Sequence, residues 1–352
     1  MDQNILELHP GLIIGFAVVI LVMLLLDLGI FNKKAHVVSS KEATIWSIIW
    51  ISLSMAFSGV VYWIFNQDMG GHDVAIEKFT QFQAAYWIEK ALSVDNLFVF
   101  ILVFSFFKVP KHLHHKVLFW GIIGALIFRA IFIFAGVGII NLTYLPEMVV
   151  FGTPVKINIV MTLFGLFLVY AGINSWGGGD EDEDEDFSQT AGAKLVKKFY
   201  KVSDNYDGDK FFTIQNGIRM ATPLLVVVAV IEFTDVLFAV DSIPAIFAIS
   251  KDPFILYTSN IFAILGLRAL YFLLANFIHM FSKLPYGLAV VLSFIGVKML
   301  ISPWFHIPTP ISLGIVGGVL IISVLVSIAF PESKDDITAE INDDFTGDDP
   351  AN

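Results

Sequence analysis

Long apolar runs constrain this chain more than any other feature. They lie near Gly11–Ile30, Ala43–Phe65, Phe82–Phe107, Val117–Ile140, Ile157–Trp176, Ala221–Ile249, Phe254–Phe281, Leu284–Ile301 and Ile311–Phe330. A run of about 20 such residues matches a hydrocarbon core roughly 30 Å thick. Inside lipid every backbone N–H and C=O must be satisfied within the protein, so runs of this kind fold as helices. The expected class is an all-α membrane protein with about nine transmembrane helices. Only 15% of the 352 residues are charged, against about a quarter in soluble domains.

Lys and Arg in the short loops set the expected orientation. Lys33, Lys34 and Lys41 follow the first run, and Lys108, Lys111 and Lys116 the third. Lys194, Lys197, Lys198, Lys201, Lys210 and Arg219 follow the fifth, and Lys283 the seventh. The alternate loops hold only Lys78, Lys156 and Lys251. All basic loops share one side if the N-terminus is outside and the C-terminus cytoplasmic, the parity that nine spans require. The start, MDQNILELHPG, carries acidic rather than basic charge, so the first run is expected to be retained as a helix.

Two segments read as non-membrane. The stretch 177–220 opens with GGGDEDEDEDFSQT, and the tail 331–352 is acidic and poor in large apolar residues. Both are expected to be solvated and disordered; an antechamber that attracts cations is the functional alternative for the loop. SDNYDGDK lacks the ligand spacing of a calcium loop. The net charge of -11 comes largely from these patches. No basic face suggests nucleic acid. The absence of cysteine excludes disulfides and thiolate metal sites. No P-loop, G-x-S-x-G triad or H-E-x-x-H signature is present, so an enzyme is not expected.

The apolar run over Ile231–Ser250, IEFTDVLFAVDSIPAIFAIS, carries Glu232, Asp235 and Asp241. Insertion scales penalise each carboxylate at a helix centre by roughly 2.5–3.5 kcal/mol. The same pattern occurs earlier: Glu89-Lys-Ala-Leu-Ser-Val-Asp95-Asn96 matches Asp235-Val-Leu-Phe-Ala-Val-Asp241-Ser242. The following helices match at Ile127-Phe-Arg129-Ala-Ile-Phe132 and Gly266-Leu-Arg268-Ala-Leu-Tyr271, and more weakly at LFLVYAGI and SFIGVKMLI. Runs three to five therefore repeat as six to eight. Three is odd, so the two repeats are expected to be inverted, an architecture that places a transported substrate near the midplane. The expected organisation is 1–66 for two N-terminal helices, 82–176 and 221–303 for the repeats, 177–220 for the acidic loop, 309–330 for the last helix and 331–352 for the tail.

Glu89 and Asn96 are seven apart and share one helix stripe, as do Asp235 and Ser242. Glu232 and Asp235 face together at a spacing of three. Pro244 cannot donate to the carbonyl of Val240, which frees an oxygen beside Asp241. Carboxylates, an amide, a hydroxyl and free carbonyls are ligands for hard divalent cations. The bland alternative is a buried charge network with Arg129, Arg268, Lys90 and Lys298. Against the two deep arginines the five acids leave surplus negative charge, which a divalent cation or protons would neutralise. The loop histidines His112, His114 and His115 read as anchors rather than ligands.

At EKALSVDNLFVF, EFTDVLFAVDSIPAIFAIS and DLGIFNKKAHVVSSKEA the chain resembles the TerC family of integral membrane proteins, over roughly residues 12–330. That resemblance implies an association with tellurium resistance and, for Alx-type members, manganese export. It also implies kinship with LysE-type exporters built from three-helix inverted repeats. It makes Glu89, Asp95, Glu232, Asp235 and Asp241 the metal ligands, with Asn96 and Ser242 carried along. The expected function is a secondary transporter exporting Mn2+ or other divalent cations from the cytoplasm across a bacterial inner membrane, in exchange for H+. Its partners would be the metal substrate and the bilayer, with no nucleic acid and no resident cofactor. The alternative is a membrane stress-response or assembly factor whose intramembrane acids are structural.

Overall fold

The structure is a computed structural model and describes residues 10–31, 40–68, 71–150, 153–176, 186–215, 217–277, 283–305 and 307–330. The tail expected at 331–352 and the acidic run 177–185 lie outside the described residues. Eleven helices are described: α1 (Pro10–Phe31), α2 (Ser40–Asp68), α3 (Gly71–Phe106), α4 (Lys111–Leu142), α5 (Ile159–Trp176), α6 (Ala191–Phe199), α7 (Pro223–Phe247), α8 (Pro253–Leu265), α9 (Leu267–Phe277), α10 (Leu284–Ile301) and α11 (Thr309–Ala329). Two short antiparallel hairpins join them, β1 (Met148–Val150) with β2 (Thr153–Val155), and β3 (Phe212–Gln215) with β4 (Ile218–Ala221).

Helix occupies every expected run, but not every helix is a simple span. Among the described residues five are long and apolar enough to cross a membrane, within α2, α4, α7, α10 and α11. The pair α8 and α9, bent by 40° at its break, makes a sixth. Shorter apolar stretches fall at Ile14–Met23 and Ile159–Ser175. α3 is set apart by Glu89, Lys90 and Asp95 within its length.

Local chemistry explains the helix ends. Pro223 opens α7 and Pro253 opens α8, where the missing N–H costs nothing. Asp252 caps α8 by accepting from the backbone N–H groups of Phe254 and Ile255 at 3.0 and 3.5 Å. Its other oxygen accepts from Lys78 Nζ at 2.8 Å, which ties the start of α8 to α3.

Packing is reciprocal between the two sets of matched helices. α3 lies against α8, α4 against α7, and α5 against α10. The last pair is in backbone contact: a Cβ added at Gly296 would stand 2.7 Å from the carbonyl of Gly165, and one at Gly172 2.6 Å from that of Ala289. Small residues let helices approach in this way where lipid offers no competing solvent effect. One apolar core joins α3, α4, α7 and α10. A second, rich in aromatic rings, gathers Phe16 of α1 with Phe82, Phe254 and Phe262.

The stretch expected as a solvated linker is folded from Asp186 onward. A single 3-10 turn at Phe187–Gln189 leads into α6, which packs on α7. The segment is also docked on the turn between α3 and α4. Tyr206 donates its hydroxyl to the carbonyl of Phe107 at 2.8 Å, and Lys116 Nζ lies 3.0 Å from Asp209 Oδ2.

Candidate functional site

Three helices bring the deepest charges together: α3 supplies Glu89, α4 Arg129 and α7 Asp235. Arg129 Nη1 donates to Glu89 Oε1, while Nη2 and Nε donate to the two Asp235 oxygens at 3.1 and 3.5 Å. Arg129 and Glu89 are fully buried and Asp235 nearly so. Glu89 and Asp235 are equivalent positions of the sequence repeat, so one guanidinium fork holds the first acid of each. A planar, always-charged group suits this bidentate task. Counted as formal charges, the trio sums to one negative.

Further polar atoms in the bundle are left unsatisfied. Glu89 Oε2, Glu232 Oε2, Ser93 Oγ, Ser242 Oγ and both amide atoms of Asn260 are buried without a hydrogen-bond partner among the described residues. Buried polar groups are rarely left so, and each costs about 1–3 kcal/mol in that condition. Glu232 fits where α4 has no side chain: a Cβ at Gly124 would fall 1.7 Å from its Oε2. Asn96 is buried as well. Helix α7 runs on through Pro244. The side chains of Asp95 and Asp241 lie outside the described residues. Among the described residues no three His, Asp or Glu side chains are grouped to hold a metal ion.

Two buried lysines alter the charge count. Lys90 and Lys298 are as buried as the arginines' surroundings require, each at 7% exposure. By formal charge alone, Lys90, Arg129, Arg268 and Lys298 count against Glu89, Asp95, Glu232, Asp235 and Asp241, a surplus of one carboxylate. The comparison with the arginines alone overstated it. Position matters more than the sum, because Lys90 Nζ turns away from the acids to the carbonyl of Ala263 at 3.3 Å, at the α8–α9 break. His114 is bound to Val109 O and Tyr271 Oη, at 3.0 Å each, and serves as an anchor.

Ser93 and Asn260 are buried polar groups without partners among the described residues that motif matching did not single out. Ser93 stands one helical turn after Glu89 and shares its face. Asn260 follows Thr258 and Ser259 in an otherwise apolar helix. Those two hydroxyls bond back to carbonyls of their own helix, which leaves only the amide turned elsewhere. A polar side chain with no local use in an apolar helix was the available signal.

These features define a polytopic integral membrane protein whose core carries buried, partly unsatisfied polar and acidic side chains. The chain belongs to the integral membrane protein TerC family, whose profile matches residues 74–335. It is 41% identical over 322 residues to a protein of Salmonella typhi named putative membrane-bound redox modulator Alx, covering 91% of this chain and 95% of that one. The Escherichia coli K12 protein of the same name is 41% identical over 314 residues, 89% and 92% of the two chains. An uncharacterized membrane protein of Myxococcus xanthus is 42% identical over 319 residues, 91% and 92% of the two chains. No solved structure matches the chain.

Proposed function

We propose that the chain is a secondary transporter that exports divalent cations, Mn2+ foremost, from the cytoplasm through the carboxylate cluster between α3 and α7. The observation that supports this reading is that two carboxylate oxygens of the bundle, Glu89 Oε2 and Glu232 Oε2, are buried without partners among the described residues, as are the hydroxyls of Ser93 and Ser242 and the amide of Asn260. Hard cations take such oxygen sets. Asp95 and Asp241 complete the ligand set from the same two helices, with Asn96 and Ser242 next to them. Arg129 holds the remaining oxygens of Glu89 and Asp235, which limits the uncompensated charge when no substrate is bound.

In this reading α3–α4–α5 and α7–α8/α9–α10 are inverted repeats within nine spans, N-terminus outside and C-terminus in the cytoplasm, in a bacterial inner membrane. The reciprocal packing of α3 on α8 and α4 on α7 is what a two-fold relation between them would produce. Rocking of one repeat on the other would expose the site to each side in turn. Protons returning onto the same carboxylates would drive export, since no ATPase motif is present in the sequence.

Reconstituted protein tests this directly. Mn2+ flux into proteoliposomes should exceed that of protein-free vesicles, respond to an imposed pH gradient, and fall at least tenfold in Glu89→Gln, which leaves Arg129 its bond to Asp235. Flux in the variant equal to wild type would refute the site. A second reading, a membrane stress factor with structural acids, draws on the relatives' name and on the fact that Arg129 already occupies three carboxylate oxygens. It predicts that Glu89→Gln lowers the melting temperature with no Mn2+ flux in either protein. The chain has no cysteine, so thiol exchange by its own side chains plays no part in either reading.

A further inference from the structure

The folded segment after α5 carries a surface that the transport reading does not use. Helix α6 buries Gly192, Ala193 and Val196 against α7 and exposes everything else. Its contact with α7 is close: a Cβ at Gly192 would stand 2.3 Å from the carbonyl of Ala229. Ala229 is six residues past Pro223, the first residue of α7, so at 1.5 Å per residue the contact lies about 9 Å along that helix. With α7 read as a span that begins at Pro223, a short helix beside its second turn would lie at the headgroup level rather than out in solvent.

The exposed side of α6 is sorted to match. Leu195 and Phe199 are four residues apart and form one stripe, 57% and 69% exposed. Lys194 and Lys198 form the next stripe, one residue back and so roughly 100° around the helix. Tyr200 and Lys201 continue both kinds of surface past the helix end, each exposed. None of Lys194, Lys198 and Lys201 has an ion pair among the described residues, whereas Lys210 of the same segment is paired with Asp207. An apolar edge beside a row of lysines is the pattern of a helix lying in the plane of a membrane interface.

We propose that α6 is an interfacial helix that binds the anionic headgroups of the leaflet around α7, with Leu195 and Phe199 in the acyl boundary and Lys194, Lys198 and Lys201 on the phosphates. The charge complementarity names the occupant, since anionic lipid surfaces attract short basic clusters. Because the segment also holds the α3–α4 turn through Tyr206 and Asp209, lipid contact at α6 is mechanically linked to α4.

The cysteine-free chain allows a direct test. Nitroxide labels at Leu195→Cys, Phe199→Cys and, as an aqueous reference, the exposed Asn205→Cys are placed in the full-length protein in nanodiscs of pure phosphatidylcholine or of phosphatidylcholine with phosphatidylglycerol. The ratio of oxygen to nickel-chelate accessibility should be several-fold higher at positions 195 and 199 than at 205. It should rise further with phosphatidylglycerol, and that rise should vanish in a Lys194→Gln, Lys198→Gln, Lys201→Gln background. Equal ratios at all three positions would overturn the interfacial placement. A high ratio that ignores both lipid charge and the lysine changes would overturn the anionic-lipid contact. All substituted side chains are exposed, so the core is untouched, and the two reporters read independently.

Discussion

The two matched halves of the chain differ where their helices should be most alike. Helix α4 passes Arg129 without interruption, while its counterpart is broken into α8 and α9 just before Arg268. In the repeat alignment Ile127 of α4 corresponds to Gly266, and Val236 of α7 corresponds to Lys90 of α3. The two differences meet in space. A Cβ at Gly266 would stand 2.7 Å from Lys90 Nζ, and that ammonium donates to the carbonyl of Ala263. A glycine without a side chain and a lysine from the facing helix thus form one device: a cation seated on the negative end of a half-helix. The other half has neither residue, and its helix continues. A repeat can keep its acids and arginines in register while one copy exchanges continuity for a charged joint.

The strongest way to break the comparison is at Arg129. Arg129→Met strands Glu89 and Asp235 as buried charges, and removal of one partner of a buried pair costs about 3–5 kcal/mol. A large drop in thermal unfolding temperature in detergent is the expected result. The triple variant that adds Glu89→Gln and Asp235→Asn should recover most of the loss, because no uncompensated charge then remains. Failure of the triple variant to recover would mean that Arg129 acts through packing.

A smaller effect is expected at the joint. Gly266→Ala places a methyl group against Lys90 Nζ, and crowding of this order costs about 1–3 kcal/mol. Lys90→Met removes the cation from the end of α8 at up to about 2 kcal/mol, the upper range for a charge at a helix terminus. The double variant should lose less than the sum of the two, since the methyl no longer meets an ammonium. Unfolding of the four proteins side by side decides it; strict additivity would separate the break from Lys90.

Much of the architecture was legible because period and length dominate in lipid. Apolar runs marked each helix, most to within a few residues, although α3 begins at Gly71, eleven residues before the expected Phe82, and α4 at Lys111 rather than Val117; the repeat motif singled out the acids before any packing was known. What the runs could not show was continuity. FILYTSNIFAILGLRALYF reads as one apolar segment, and the break is met by Lys90, which lies 173 residues before the carbonyl of Ala263 that it bonds. The same holds for the segment after α5. Its acidic composition argued for disorder, yet Phe187, Ala193 and Val196 are buried against the bundle, and burial by a distant surface leaves little local trace. The site was half legible: Glu89 and Asp235 stood out by charge, whereas Ser93 and Asn260 matter only for lacking partners.

The gentlest probe of the asymmetry is pH, because the folded segment meets α4 through an ion pair, Lys116 with Asp209, and meets α7 through the small and apolar residues Gly192, Ala193 and Val196 of α6. The hydrogen bond and charge of Lys116 hold the Asp209 carboxyl below its usual range near 3.8. A depressed carboxyl pKa contributes stability that is present above the unfolded value and lost as pH falls through the folded one. The contact should therefore be intact at neutral pH and fail only below about 3.8, the unperturbed value. Asp209 is exposed, so the effect stays at or under about 1 kcal/mol, as for other solvent-exposed pairs. Hydrogen-exchange protection of the backbone over Asp207–Thr213 reads the contact locally. Protection should drop on acidification in wild type, while Asp209→Asn should show the lower protection already at neutral pH and little further change. The backbone of α10 around Gly296, packed on Gly165 of α5 without a carboxylate, serves as the internal reference. If protection there fell in step with the Asp207–Thr213 segment, and did so in Asp209→Asn as well, the acid effect would belong to the bundle as a whole and not to this single tie.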